Sequence, residues 1–279
     1  MKIISSGKGI HTPEFHKKKK REKQIKIVYT ILFVIVFIAI PIYLLRTNKF
    51  LITNVEVKGN SVTQIEEIQK IVMEKISGNY LWFFPRSNDV LYPKSAIHNN
   101  LLTEIPRLSA VGISLLNAHT LSISVSEREP FALYCTEVSN LNNPSGCFFL
   151  DKTGYIFSEA PAISGGVYFI YTTEPVFETP LRQQFLNPEM FKNLEPFIKD
   201  LGQIGLYPKV FINKGDEFNL VFSNGAMIMW KATADLDSVQ SDLESFLTDA
   251  NFTKEKNALQ RIIYIDLRFG NKVFYKFHD

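Results

Sequence analysis

The residue types that most often perform catalysis are few in this chain and scattered along it. Ser5 and Lys8 have the S-x-x-K spacing of one class of hydrolases, but the accompanying motifs of that class are missing from the sequence. No G-x-S-x-G, H-E-x-x-H or phosphate-binding G-x-x-x-x-G-K-[ST] motif occurs either. We therefore predict that the protein is not an enzyme and that it binds no metal or other cofactor. The histidines lack metal-ligand spacing and are His11, His16, His98, His119 and His278.

Two cysteines offer the one covalent cross-link that this chain could form. Cys135 and Cys147 can make a disulfide bond if they lie in an oxidising compartment, or they can remain two buried or unpaired thiols. In the chain-entropy model, closing a loop of this length stabilises a fold by about 3 kcal/mol. A zinc site needs more ligands than these two, and the sequence contains no C-x-x-C motif.

One apolar stretch decides in which compartment these residues lie. Residues 27–45 are 19 residues without a charge, and a helix of that length rises about as far as the roughly 30 Å hydrocarbon layer of a membrane. We predict a transmembrane helix over 27–45, which makes the lipid bilayer a partner of this segment. A cleaved signal peptide is the alternative, but the apolar run is longer than usual and no A-x-A-like site follows it.

The charges predict the direction of this span. Residues 1–26 carry nine Lys or Arg and two Glu, a net charge of +7, whereas the chain as a whole carries +3. The remainder is therefore at −4, so its mild acidity argues against nucleic-acid binding. Because basic segments resist translocation, we predict that residues 1–26 form a cytoplasmic basic tail and that the chain after residue 45 lies outside the cytoplasm.

The pattern after the span predicts a small α+β unit over residues 49–126. Val55 and Val57 alternate with polar residues as in a half-buried strand. Thr63 and Glu66 have the spacing of a capping box, which predicts that a helix starts there. A second helix and two strands with alternating apolar residues follow. The predicted order is strand, helix, helix, strand, strand.

Shorter strands dominate residues 127–279. Asn187 before Pro188, and Asp235, have the residue types that begin helices, and Asn224-Gly225 predicts a tight hairpin. The chain closes on two strand-like runs, RIIYIDLRF and KVFYKF. We predict a mixed β-domain with two helices here, so that the fold class of the whole chain is α+β with one N-terminal transmembrane helix.

Several strings of sequence, taken in order, resemble one family. V-E-V-K-G-N follows the single span, LSISVSEREPFALY leads into a D-x-x-G hairpin, and IDLRFGNKVFYK lies near the end. Together with the basic tail, they resemble the bacterial cell-division proteins FtsQ/DivIB over about residues 17–277. The segment YLWFFPRSNDVLYP and the Cys135 to Cys147 insertion depart from the pattern of that family.

The resemblance implies both a fold and a function. Residues 49–126 would be a POTRA domain of order β-α-α-β-β, and residues 127–279 the β-domain of that family. A family member is a non-enzymatic scaffold of the septal division complex that links early and late division proteins. It binds small single-span partners of the FtsB/FtsL type and acts with the septal peptidoglycan synthase FtsW/FtsI. The implied location is the plasma (inner) membrane at the division septum.

The resemblance also implies where the partner binds. In the family, the end of the β-domain contacts the partner, and a segment of the partner can add as a further strand to an open sheet edge. Phe269 corresponds to the aromatic residue after D-L-R that contacts the partner. The adjoining strand contributes Val273, Phe274 and Tyr275, although these aromatics could also be ordinary core residues. We expect Asp266 and Arg268 to hold the end of the strand.

Two other classes of protein remain open from the sequence. One is a membrane-anchored POTRA module of a translocation or cell-wall assembly system, which is expected to carry several tandem POTRA units. The other is a membrane-anchored cell-wall enzyme, which requires a pocket of clustered, pKa-perturbed side chains.

Overall fold

The computed structural model describes residues 13–138, 144–162, 167–270 and 272–278. Ser5, Lys8 and residues 1–12 of the predicted basic tail therefore lie outside the described residues. The chain divides into two compact units. The first contains the described residues up to Leu101 together with Val111–Val125, and the second contains Leu102–Ala110 and the chain from Ser126 onward.

The N-terminal helix α1 runs over Pro13–Leu45. Within it, Lys17–Leu45 is long and apolar enough to cross a membrane, and its most apolar window has no residue buried inside the protein. The helix begins earlier than the predicted span at residue 27. Basic residues 17–26 are helical as well, because Lys, Arg, Glu and Gln are all good helix formers. Pro41 lies inside α1 near its C-terminal end.

A three-stranded sheet and two helices follow α1 in the first unit. Strand β5 lies between β1 and β4 and pairs in parallel with β1, Val55 opposite Leu121 and Val57 opposite Ile123. A short hairpin, absent from the predicted order, joins the two helices. The bounds are β1 Asn54–Lys58, α2 Ile65–Ile76, β2 Asn79–Tyr80, β3 Phe84–Pro85, α3 Lys94–Glu104, β4 Leu108–Asn117 and β5 Thr120–Glu127.

Helix α2 corrects one detail of the prediction. Its N-cap residue is Gln64 rather than Thr63, and the Gln64 side chain makes no capping hydrogen bond. The helix buries an apolar stripe that includes Ile68, Ile71 and Val72. Burial of this stripe therefore stabilises α2 more than a capping box does.

The second unit is built on one nine-stranded mixed sheet. Its spatial order is β14-β13-β12-β11-β10-β9-β6-β7-β8. Strands β6 and β9, β9 and β10, and β12 and β13 pair in parallel, and the other neighbours are antiparallel. The bounds are β6 Ala132–Glu137, β7 Ser145–Leu150, β8 Ile156–Glu159, β9 Ile170–Thr173, β10 Pro208–Asn213, β11 Glu217–Phe222, β12 Met227–Lys231, β13 Ile262–Asp266 and β14 Phe274–Phe277.

Two long helices pack on one face of this sheet. Helix α4, Pro188–Gln203, starts at Asn187, whose side chain accepts a hydrogen bond from the Glu189 N–H. Helix α5, Leu236–Thr248, starts at Asp235, which accepts from the Ser238 N–H. Both starts confirm the predictions. The prediction of two helices is nevertheless incomplete, because two helices of four residues each follow, α6 Ala250–Thr253 and α7 Ala258–Arg261.

Aromatic rings fill the space between the long helices and the sheet. Trp230 of β12 is fully buried and packs edge-on against Phe197 of α4, with 5.6 Å between ring centroids. The ring centroids of Phe218 on the adjacent strand β11 and of Phe211 on the next strand β10 each lie 6.0 Å from that of Trp230. Edge-to-face contacts of this kind add to the energy of burial, so this cluster anchors α4 to the middle of the sheet.

The two cysteines form a cross-strand disulfide. Cys135 of β6 and Cys147 of β7 are direct partners in the register of this hairpin, their Cα atoms are 4.1 Å apart, and their sulfur atoms are bonded at 2.10 Å. Part of the intervening loop, residues 139–143, lies outside the described residues. The bond therefore joins the two strands of this hairpin next to the loop that connects them.

Candidate functional site

The last strand of the described chain forms one edge of the nine-stranded sheet. Strand β14 pairs with β13 on one side and has no neighbouring strand among the described residues on the other. Its antiparallel register places Asp266 opposite Phe274 and Ile265 opposite Tyr275. An edge strand of this kind presents backbone N–H and C=O groups without a partner strand.

The end of β14 shows which amides face outward. The His278 N–H donates to the Arg261 carbonyl at 2.8 Å, and the Arg261 guanidinium donates to the His278 carbonyl at 3.0 Å. Because amide direction alternates along an antiparallel strand, Phe274 and Lys276 turn toward β13 like His278. The N–H and C=O groups of Tyr275 and Phe277 therefore point to the open edge.

The four predicted partner-binding residues divide between two environments. Phe269 and Phe274 are 56% and 50% exposed, and their rings meet edge-on with centroids 5.2 Å apart. Tyr275 packs against Phe246 of α5 at 5.0 Å but remains 40% exposed. Val273 is half-buried against the core. The structure thus places all four residues along one edge, with Phe269 and Phe274 as an exposed aromatic pair.

A charged cluster fixes the turn that carries Phe269. The Arg268 guanidinium donates from Nε to Asp266 Oδ1 at 2.9 Å and from Nη2 to Asp266 Oδ2 at 2.7 Å. The same guanidinium forms a short ion pair with Glu217 at the start of β11. Its Cζ also lies 5.8 Å from the centre of the Phe269 ring. Arg268 therefore ties the turn after β13 to a strand two positions away in the sheet.

Ionisation of this cluster follows from its hydrogen bonds. The bonds from Arg268 outweigh burial and hold the pKa of Asp266 below its ordinary value. The hydrogen bonds to Asp266 and Glu217 raise the pKa of Arg268. Both groups are therefore charged at neutral pH. Asp266 is only 5% exposed, so this carboxylate stabilises the turn rather than contacting solvent.

A second, partly buried ion pair lies within the second unit, at Arg128 of the LSISVSEREPFALY string. Arg128 forms a short ion pair with Asp151, donates to the Pro106 carbonyl at 3.1 Å, and lies 4.3 Å above the Tyr155 ring. Burial of Asp151 opposes its ionisation. Hydrogen bonds from Thr153, Arg128 and the Tyr155 N–H together hold its pKa below the ordinary value nevertheless. This pair fastens the D-K-T-G turn to the segment that enters β6.

Groups of metal-ligating side chains and cavities are the features that a catalytic site would use. Within the described ranges, no three His, Cys, Asp or Glu side chains are grouped so that they could hold a metal ion. A cavity of about 720 Å³ between α4 and α5 has Asn187 and Asp235 in its lining. Each side chain accepts a backbone N–H at the start of its helix, Asn187 through Oδ1 and Asp235 through Oδ2.

Comparison with known proteins adds no identification. The chain matches no model of a known protein family, and a search of curated proteins found no significantly similar sequence. The resemblance to the FtsQ/DivIB family therefore rests on the short motifs and their order.

The sequence did not predict one member of the charged cluster around Arg268. Glu217 binds Arg268 although the two residues are 51 positions apart in sequence. A carboxylate at the start of an otherwise apolar strand is a weak signal on its own. The other members, Asp266 and Arg268, carry the local D-L-R signal.

Proposed function

We propose that this protein is a single-pass membrane scaffold of the septal cell-division complex, as its resemblance to FtsQ/DivIB implies. Helix α1 anchors it with the N-terminus in the cytoplasm. The first unit serves as a POTRA domain, and the second as the β-domain that captures partners of the FtsB/FtsL type, which act with the septal synthase FtsW/FtsI. The protein performs no catalysis of its own.

One observation carries the proposal: among the described residues, β14 is an edge strand of the sheet without a further neighbour, and an exposed aromatic pair lies beside it. The outward amides of Tyr275 and Phe277 can pair with an incoming strand, while Phe269 and Phe274 offer apolar anchors. Backbone pairing supplies affinity in this mode of recognition, and the side chains beside the edge supply selectivity. Aromatic residues are also enriched among the side chains that dominate binding energies.

The distribution of charge supports the proposed orientation. The net charge of +7 precedes the apolar part of α1, and the −4 remainder follows it. The bonded cysteines fit the same orientation, because disulfides persist in oxidising compartments outside the cytoplasm.

A pair of substitutions at one position tests strand addition. Tyr275→Pro removes an outward N–H, and proline is tolerated at a free strand edge, whereas Tyr275→Ala removes only the side chain. We expect the full-length Pro variant, co-expressed with FtsB/FtsL-type partners, to capture about fivefold less partner than the Ala variant, because one net hydrogen bond contributes about 1 kcal/mol. Equal capture by the two variants would contradict strand addition.

A second pair of substitutions tests the contribution of the exposed aromatic pair to partner binding. Phe269→Lys places a charge at the proposed contact, and Tyr207→Lys does the same at another exposed aromatic residue of the second unit. Capture should fall for Phe269→Lys and remain unchanged for Tyr207→Lys. Equal loss in both variants would mean that general surface charge, and not this edge, governs binding.

A further inference from the structure

The hairpin that joins α2 and α3 carries the most exposed aromatic residue of the described chain. This aromatic hairpin comprises β2, the turn Leu81-Trp82-Phe83, and β3. Trp82 is 87% exposed, Leu81 80% and Phe83 55%. Exposed clusters of large apolar side chains mark surfaces that contact a partner or a membrane.

The backbone at the tip holds these side chains outward. Leu81 and Trp82 have φ angles of +45° and +70°, and the Phe83 N–H donates to the Tyr80 carbonyl at 3.1 Å. A tight hairpin turn with two positive φ angles ordinarily takes Asn and Gly, which adopt them easily. Bulky residues in this conformation are outliers, so local backbone preference does not explain their presence. The exposure of these side chains instead points to a contact outside the hairpin.

The base of the aromatic hairpin is fastened to the outer end of α1, within the same unit. The buried Asn88 side chain donates to the Leu45 carbonyl at 3.1 Å. The Asp89 N–H donates to the Phe50 carbonyl at 2.9 Å, and the Ile52 N–H donates to the Ser87 carbonyl at 2.7 Å. The six Cα–Cα steps from Trp82 to Asn88 reach at most about 20 Å even when fully extended. The tip therefore stays close to the point where α1 ends.

We propose that the aromatic hairpin inserts Leu81, Trp82 and Phe83 into the interface of the membrane that α1 spans. This inference rests on the proposed anchoring by α1. Trp and Tyr concentrate at the level of lipid headgroups, where an apolar ring and a polar edge are both satisfied. Tyr43 near the end of the span is exposed in the same way, and the exposed cations Arg46 and Lys49 suit lipid phosphates. A lipid surface fits this set better than a folded partner does, because the whole set gathers around the end of α1.

The insertion gives the first unit a second attachment to the membrane. The helix α1 attaches the first unit to the membrane at one point, whereas an inserted loop adds a second point of contact with the lipid. The hairpin thereby restrains the first unit against the bilayer. The departure of this segment from the pattern of the FtsQ/DivIB family then reflects a feature of this chain.

Tryptophan fluorescence of the full-length protein in vesicles tests the insertion. The chain has two tryptophans, and Trp230 is fully buried, so it acts as an internal control. The emission lost in the Trp82→Gln variant isolates the signal of Trp82. The probes are vesicles of mixed zwitterionic and anionic phospholipid, brominated either near the headgroup or near the bilayer centre, with acrylamide as the aqueous quencher.

We expect headgroup-proximal bromine to quench the Trp82 signal more than central bromine does, and acrylamide to quench it weakly. Alkaline carbonate extraction of the same vesicles separates the two proposals. Release of the protein by carbonate would overturn both the anchor and the insertion. Retention of the protein, with Trp82 quenched by acrylamide and not by bromolipid, would overturn the insertion alone. Shielding of Trp82 only after FtsB/FtsL-type partners are added would also overturn it, in favour of a protein contact.

Discussion

Arg268 links the last turn of the chain to the interior of the sheet. Its guanidinium binds Asp266 through two hydrogen bonds and Glu217 through an ion pair, so the backbone that presents Phe269 is held from two sides. A binding residue on a loose turn would lose conformational entropy on capture. A turn that is already ordered avoids much of this loss.

Acid should weaken this cluster. The folded-state pKa of Asp266 lies below its value in the unfolded chain, about 4. Its contribution to stability is therefore fully present above pH of about 4 and is lost as the pH falls through the folded-state pKa. Asp266→Asn should lower the free energy of unfolding at neutral pH by about 1.5–3 kcal/mol, the range for hydrogen bonds to charged groups. The difference from wild type should shrink in acid.

Denaturant unfolding of the detergent-solubilised full chain, followed by the emission of buried Trp230, measures this effect. Glu178→Gln is the matched control, because Glu178 is exposed on the surface of the same unit. Asp266 would have no stabilising role if Asp266→Asn and Glu178→Gln unfolded at the same denaturant concentration at neutral pH.

At the scale of elements, the sequence predicted the helices that are preceded by a residue whose side chain can cap a helix. Asn187 and Asp235 start α4 and α5 as predicted, because a side-chain oxygen that accepts a backbone N–H is a short-range interaction. The apolar stretch within α1 was also predicted from its local composition alone. The prediction that α2 starts at Thr63 was wrong because the capping-box spacing carries no information about the backbone conformation of the residues before the helix.

The aromatic hairpin and the sheet order could not be predicted in the same way. Leu81-Trp82 carries none of the Gly or Asn signals that mark a tight turn, so the connection between α2 and α3 gave no indication of strands. The parallel pairing of β6 with β9 and of β12 with β13 joins strands that are distant in sequence. Such pairings depend on packing of the whole sheet. The open edge at β14 was expected from the resemblance alone.

The disulfide between β6 and β7 leads to a prediction about the redox state of Cys135 and Cys147. If this unit lies outside the cytoplasm, full-length protein taken from membranes and denatured without reductant should show no free thiol by mass labelling. Two labelled thiols would contradict the orientation. Reduction should then lower the free energy of unfolding by about 3 kcal/mol, the estimate for a loop of this length. Cys147→Ser should show one labelled thiol, which calibrates the assay.

At the scale of the molecule, two folded units follow one apolar helix, and each unit offers a different surface. The first carries exposed aromatics beside the end of α1, and the second carries an open strand edge at the end of the chain. In the proposed function, the first unit holds the protein to the bilayer while the second captures a partner. A scaffold needs these two attachments and no reacting site.

The exchange of single backbone amides tests the central claim, that β14 accepts a partner strand. Hydrogen exchange of the full-length protein in a bilayer disc should be measured with and without FtsB/FtsL-type partners. The amides of Tyr275 and Phe277 should exchange markedly more slowly in the complex, whereas the already paired amide of Lys276 should change less. Unchanged exchange at Tyr275 and Phe277, in a sample where the partner is bound, would contradict strand addition at this edge.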